Sequence, residues 1–254
     1  MGRETVYPSG PFFIFTFEVP GYNACGLTLV EILDGKVNLK RMIYRFAGMI
    51  TCGVMILRQL RLFVAIHFPE QVNKILGSMI QDLRKLPSDA RWVEEDNIHL
   101  TVQFLGDVQE EQTPALIDAL TRAALGVAPF KLALGGVGVF PSGERPRVLW
   151  AGVSGETAVL SRLQRQVQKE LAELGYTPEK CRFSPHLTLA RFRSSLGFPA
   201  VMERAQALEE RLGQVGAVMI PSMELMRSEL GPKGPKYFIL ARIALSGLKK
   251  APGE

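Results

Sequence analysis

The sequence predicts an α+β fold: a bilobal, pseudo-two-fold-symmetric duplication, with antiparallel sheets lining a central cleft and helices on the outside. Three observations lead there. Stretches with strand periodicity alternate with stretches of helical periodicity. One order of elements occurs twice. The tripeptide His-Leu-Thr also occurs twice, in NIHLTVQFLG (97–106) and SPHLTLARFR (184–193), although the 254-residue chain holds only 3 histidines.

The first 59 residues stand apart by pattern, not by charge. They carry 6 Lys/Arg and 4 Asp/Glu, against 24 and 21 in the remainder, so the excesses are +2 and +3. GPFFIFTFEVPG (10–21) reads as a strand, and an apolar run of 12 residues, Phe46–Leu57, lies between Arg45 and Arg58. A bilayer-spanning helix needs about 20 residues, and the run begins too far from the N-terminus for a signal peptide. The segment reads as appended or translated from an upstream start, with Met55 as an internal start, or else as a membrane-surface anchor.

Order begins at residue 60. RLFVAIHF (61–68) is a strand closed by Pro69. Val72, Ile75, Leu76, Met79, Ile80 and Leu83 fall on one helical face. LPSDA makes a turn, and Trp92 and Val93 lead into the strand His99–Leu105. A helix over 111–125 and a strand over 130–139 end in the turn FPSGERP.

The second half repeats the layout. RVLWAGV (147–153) is a strand, and Leu160, Leu163, Val167, Leu171 and Leu174 mark a helix. GYTPEKCRFSP then leads to the strand His186–Ala190. Phe63 lies 99 − 63 = 36 residues before His99, and Trp150 lies 186 − 150 = 36 before His186. A helix over 199–213 and strands over 217–228 and 236–246, joined by GPKGP, complete the chain.

Composition excludes some classes. At 47% hydrophobic residues the chain can build a proper core without staples. Cys25, Cys52 and Cys181 have no CxxC spacing, so they read as free thiols of a reducing, cytoplasmic compartment and argue against structural zinc. A net charge of +5 and a pI near 9.2 are compatible with a polyanionic partner but do not require one.

The doubled tripeptide has a geometry. Residues i and i+2 of a strand share a face, so His99 with Thr101, and His186 with Thr188, point away from the leucines that enter the core. A pseudo-two-fold axis would bring two imidazoles and two hydroxyls to one cleft. Catalytic zinc usually takes three protein ligands, and the third histidine, His67, follows a different strand and reads as a surface residue. A Ser–His or Cys–His system needs only one base. In-line displacement at phosphorus needs a base on the attacking oxygen and an acid on the leaving oxygen, which suits two imidazoles. The threonine hydroxyls can donate to the non-bridging phosphate oxygens.

These residues carry a resemblance. HLTV (99–102) and HLTL (186–189), with RLFVAI, ARWV, FLGDV, RPRVLWAGV and RSELGPKGPKY, resemble the two-histidine phosphoesterase superfamily, and within it the RNA 2′,3′-cyclic phosphodiesterases, also called 2′-5′ RNA ligases. The similarity covers about 60–248, which reads as one two-lobed domain, leaving 1–59 as an appended segment outside the family pattern and 249–254 as a tail. It implies metal-independent hydrolysis of 2′,3′-cyclic phosphates on RNA ends or nucleotides to 2′-phosphomonoesters. His99 would be the general acid, His186 the general base, and Thr101 and Thr188 the phosphate holders. No metal, no cofactor, no stable protein partner and no membrane association are implied, and a monomer is expected.

Other readings stay beside this one. The cleft could bind a nucleotide or RNA end without turnover, or act on another cyclic phosphate or a 2′-5′ linkage. Phe63 and Trp150 could stack on a base, but aromatic residues in apolar strands are more often core. Arg191 could clamp phosphate, but lies five residues past His186, on the opposite face of an unbroken strand. It reaches the cleft only if a bulge intervenes.

Overall fold

The computed structural model describes residues 5–9, 12–18, 25–33, 36–42, 58–141, 145–177, 182–232 and 234–247. It divides into two units, Met1–Ile56 and Leu57–Glu254. In the first, β1 (Thr5–Ser9), β2 (Phe12–Glu18), β3 (Cys25–Leu33) and β4 (Lys36–Met42) form an antiparallel meander in chain order. The strand expected in GPFFIFTFEVPG is therefore present as β2. The run Phe46–Leu57, with Met55, Cys52 and Cys181, lies outside the described residues.

The second unit runs β5 (Gln59–Ile66), α1 (Glu70–Arg84), β6 (Ala90–Trp92), β7 (Leu100–Gln109), α2 (Thr113–Ala124), β8 (Phe130–Phe140), β9 (Val148–Gly155), α3 (Thr157–Ala172), β10 (His186–Phe192), α4 (Phe198–Ala207), β11 (Val218–Ile220), β12 (Ser222–Gly231) and β13 (Gly234–Ala244). The periodicity of the sequence explains the helices. α1 buries Val72, Leu76, Met79, Ile80 and Leu83, and α3 buries Leu160, Leu163, Val167 and Leu171. Leu174 does not join that stripe, because α3 ends at Ala172 and the side chain is exposed.

Nine strands form one antiparallel sheet, in the order β11-β8-β9-β10-β7-β5-β12-β13, with β6 against β10. The order is symmetric about the β10–β7 junction. β10 carries one tripeptide and β7 the Leu-Thr of the other, with His99 immediately before it; β9 and β5 flank them, and β8 and β12 come next. Each lobe borrows a strand from the other half of the chain: β8 pairs β9, and β12 pairs β5. The sheet also curls strongly, because β11 sits at one end of the order and β12 next to the other, while only Pro221 separates them in sequence. This proline lacks a ladder donor, so the single strand expected over 217–228 is split in two. The helix expected over 199–213 is likewise divided. α geometry ends at Ala207, and a 3₁₀ stretch, Glu209–Val215, carries Leu212 into the core. Gly213 within that stretch disfavours α geometry.

The helices and one face of the sheet enclose the main core, including the fully buried Leu100, Leu187, Leu189 and Ala190. Each fully buried leucine stabilises the fold by about 1.5–3 kcal/mol. A separate small cluster, Phe63, Ala65 and Met226 with Tyr237 packed against it, lies apart from that core and carries part of the aromatic lining of the cleft.

Candidate active site

The site is set by one cross-strand pair. Leu187 of β10 stands opposite Leu100 of β7, and both are buried. In an antiparallel register the residue numbers of facing pairs sum to a constant, here 187 + 100 = 287. His99 therefore faces Thr188, and Thr101 faces His186, since 99 + 188 and 101 + 186 both equal 287. Directly opposite residues share a face, so all four point away from the leucines. All four are partly buried. The two histidines lie on a diagonal of the strand pair, about 7–8 Å in regular geometry.

Both rings are locked in the same tautomer. His99 Nδ1 donates to the Asn97 carbonyl at 2.8 Å, and His186 Nδ1 donates to the Ser184 carbonyl at 2.7 Å. A carbonyl only accepts, so each Nδ1 must carry a proton and each Nε2 lone pair is left for the cleft. The Asn97 side chain is itself anchored on the Pro235 carbonyl at 3.0 Å.

The backing is similar in outline and different in detail. Phe63 lies 5.0 Å from the His99 ring, and Tyr237 stands edge-on to it at 5.1 Å. Phe140 stands edge-on to His186 at 5.0 Å, with Trp150 at 6.4 Å. Phe63 is buried and Trp150 half-buried, so both support the imidazoles from the lining. Trp150 lies so close over Gly138 that a Cβ there would fall inside its ring.

His67 is not the simple surface residue that its strand-end position suggested. Its Nδ1 and its backbone N–H lie 3.4 Å from Oε2 of Glu224, which is only 3% exposed, and its ring is 6.2 Å from His99. Glu224 also accepts from Ser222 Oγ at 3.1 Å and pairs with Arg242 at 3.4 Å. Burial would raise the Glu224 pKa, but the bonds and charge from His67 and Ser222 outweigh it and hold the carboxyl below its usual range.

Burial lowers the His99 pKa from 6.5 to about 4, against the pull of the Asn97 carbonyl, with smaller contributions from His67, Arg191 and His186. Arg191 is thus near enough to act on His99, and a bulge delivers it. The β9–β10 register slips between Thr188 and Ala190, so Leu189 and Ala190 both enter the core and Arg191 returns to the face of His186. The β5–β7 register slips likewise across Val102, which leaves Val102 and Gln103 buried and turns Phe104 out, 56% exposed, on the face of Thr101. Phe104 is to His99 what Arg191 is to His186, each five residues on. Subtracting the repeat offset of 186 − 99 = 87 from 191 would have pointed to Phe104. Nothing local in the sequence marks Tyr237, Phe140 or Glu224, which arrive through long-range pairing.

Among the described residues, no group of three or more His, Cys, Asp or Glu side chains converges as a metal ion would need, and no helix is long and apolar enough to cross a membrane.

A family profile described as LigT-like phosphoesterase matches residues 66–150 and 152–237. An RNA 2′,3′-cyclic phosphodiesterase of Aeropyrum pernix is 35% identical over 151 residues, 59% of this chain and 84% of that protein. A crystallised Thermus thermophilus protein is 30% identical with a TM-score of 0.61, covering 74% of this chain and 99% of that one. Escherichia coli LigT complexed with 3′-AMP is 27% identical with a TM-score of 0.57 over the same shares.

Proposed function

Because this chain belongs to the LigT-like phosphoesterase family, we propose that its cleft hydrolyses 2′,3′-cyclic phosphates on RNA ends and nucleotides to 2′-phosphomonoesters, without a metal. Residues 60–248 are the catalytic unit of a cytoplasmic protein, and 1–59 are an appended segment. His186 Nε2 takes a proton from water, whose oxygen attacks phosphorus in line. The bond from phosphorus to the 3′-oxygen breaks as His99 Nε2 donates its proton to that oxygen. His186 ends protonated and His99 neutral, and one proton exchange through solvent resets the pair. Thr101 and Thr188 donate to the non-bridging oxygens. Each imidazole acting in this way is worth about 10²–10⁴ in rate.

The observation that carries this reading is the matched pair of imidazoles, each with Nδ1 committed to a carbonyl and each facing the other's threonine. A protein that only binds phosphate needs donors, not two Nε2 lone pairs held ready. The low pKa of His99 bears on its role as acid. The anionic substrate itself supplies the charge that favours the imidazolium, so His99 takes up a proton from solvent as the phosphate binds. Phe104 and Arg191, at equivalent positions on the two central strands, suit the terminal base and its phosphate.

The test is ³¹P NMR of a 2′,3′-cyclic nucleotide and of a short RNA with a cyclic end. The wild type should yield the 2′-phosphate, His99→Ala and His186→Ala should each lose at least about 10²-fold, and EDTA should change nothing. Activity lost to EDTA and restored by zinc or magnesium would overturn the mechanism. Tight binding with no turnover would make the cleft a sensor.

A further inference from the structure

β6 and β10 place guanidiniums side by side beyond the histidines. Arg91 of β6 stands directly opposite Arg191 of β10. Two residues on, Arg193 stands opposite Asp89, whose carbonyl accepts from the Arg193 N–H at 3.0 Å. All three arginines are exposed, and among the described residues none of them is in an ion pair. Like charges directly opposite across strands are unfavourable, so the Arg91–Arg191 pair is a cost to the fold unless an anion lies between them.

A cavity of about 350 Å³ opens there, lined by Asp89, Ala90, Arg91, Arg193 and Pro232. Among the described residues its charged lining sums to 2 − 1 = +1. The β12–β13 turn leaves room for Arg91, since a Cβ at Gly234, φ +130°, would lie 2.9 Å from Arg91 Nη2. Arg191, cross-strand partner of the cavity's Arg91, ties this region to the cleft by charge: it acts on both His99 and Tyr237, while Arg91 also acts on Tyr237. Arg193 lies two strand rises beyond Arg191, about 6.6 Å, roughly one sugar–phosphate step of an extended nucleotide chain.

Resting on the cyclic-phosphate reading above, we propose that the Arg91–Arg193 cavity is a second phosphate subsite, which holds the phosphate on the 5′ side of the nucleotide whose cyclic phosphate lies between His99 and His186. The substrate class is then an oligonucleotide end or a 5′-phosphorylated nucleotide in preference to a cyclic nucleoside monophosphate with a free 5′-hydroxyl. Arginine suits this task, because its planar fork binds phosphate oxygens in pairs.

The experiment compares three substrates: uridine 2′,3′-cyclic phosphate, its 5′-phosphorylated form, and the dinucleotide with a cyclic end. In the wild type at low salt, the added phosphate should lower KM about 10-fold. In Arg91→Gln and Arg193→Gln this ratio should fall to about 3 or less, and the salt dependence of the benefit should flatten by about 0.7 in log–log slope per arginine removed. A benefit with the 5′-monoester but not the dinucleotide would assign the cavity to terminal phosphates; a benefit with both assigns it to the chain. A wild-type ratio near 1, or a ratio untouched by both substitutions, overturns the subsite. If no substrate turns over, the proposed reaction fails while the subsite is still read by calorimetry. Tighter wild-type binding of uridine 2′,5′-bisphosphate than of uridine 2′-phosphate, reduced in both variants, sustains it, and equal affinities sink it.

Discussion

Placing an anion against His99 should move its titration by several pH units. In the free protein its pKa is about 4, so about one molecule in a thousand carries the imidazolium at pH 7. A phosphate monoanion about 4 Å from the ring, at an effective dielectric constant of about 20, stabilises the imidazolium by about 4 kcal/mol. Divided by 1.36 kcal/mol per pKa unit, that raises the pKa by about 3, to near 7. His99 is then half-protonated when substrate is bound and almost never when it is not. Three histidines give three imidazole Cε1–H signals, which substitution of His67, His99 and His186 in turn would assign. The His99 signal should titrate near pH 4 in free protein and near 7 with saturating uridine 2′-phosphate. A midpoint near 6.5 in the free protein, or no movement on saturation, contradicts this coupling, and the latter removes His99 as the acid. Stability offers a second readout. A histidine whose folded pKa lies below its unfolded value of 6.5 favours the folded state fully above pH 6.5. That contribution is lost as pH falls toward 4, and amounts to about 3 kcal/mol. His99→Gln should flatten this part of the stability profile in urea titrations at pH 7 and 4.5.

Other outcomes follow from packing. Gly138→Ala would push a methyl into the Trp150 ring, which backs Phe140 and His186. The fold should lose about 1–3 kcal/mol and kcat should fall more than KM rises; unchanged kinetics would show that Trp150 does not position His186. Deleting residues 1–54 should leave a folded, active protein by circular dichroism and turnover, since Leu57–Glu254 is a compact unit of its own. An insoluble, inactive product would show that the first unit completes the domain.

The histidine–threonine pairs were legible because strand alternation is a local property. His, Leu, Thr and Leu at 186–189 place polar and apolar side chains by turns, and the burial of Leu187 and Leu189 follows. The slip that frees Arg191 leaves a trace too. In HLTLARF, Leu189 and Ala190 are adjacent apolar residues between two cleft-facing ones, where alternation alone would have turned Ala190 outward. The equivalent slip in HLTVQF is hidden, because the second inward residue is Gln103, a polar side chain only 1% exposed. No local signal places Tyr237 beside His99 or Glu224 beside His67. They arrive because β12 pairs β5 and β13 pairs β12, and strand order across more than a hundred residues depends on how the whole sheet closes. The same pairing hid the surroundings of His67, which are set by the buried Glu224.

Duplication alone would give two equivalent imidazoles, whereas acid–base chemistry needs two that differ. The structure breaks the symmetry with the residue five places after each histidine. On β10 this is Arg191, whose charge reaches His99; on β7 it is Phe104, which is neutral. The β12–β13 hairpin adds Tyr237 to the His99 side, and its Glu224 holds His67 there, after β5. Arg191→Gln separates these contributions. Removing a cation that disfavours the imidazolium must raise the His99 pKa in the free protein. Because burial is the larger cause and the guanidinium is exposed, the rise should stay under about 1. If Arg191 also holds phosphate as proposed, the same substitution should increase KM for a cyclic phosphate about 10-fold. If the His99 midpoint stays near 4 while KM rises, Arg191 serves the phosphate alone and the asymmetry of the two histidines is set entirely by burial. If the midpoint climbs by 2 or more, the guanidinium and not burial is the main cause of the low His99 pKa, and the two histidines differ chiefly because Arg191 has no charged counterpart on β7.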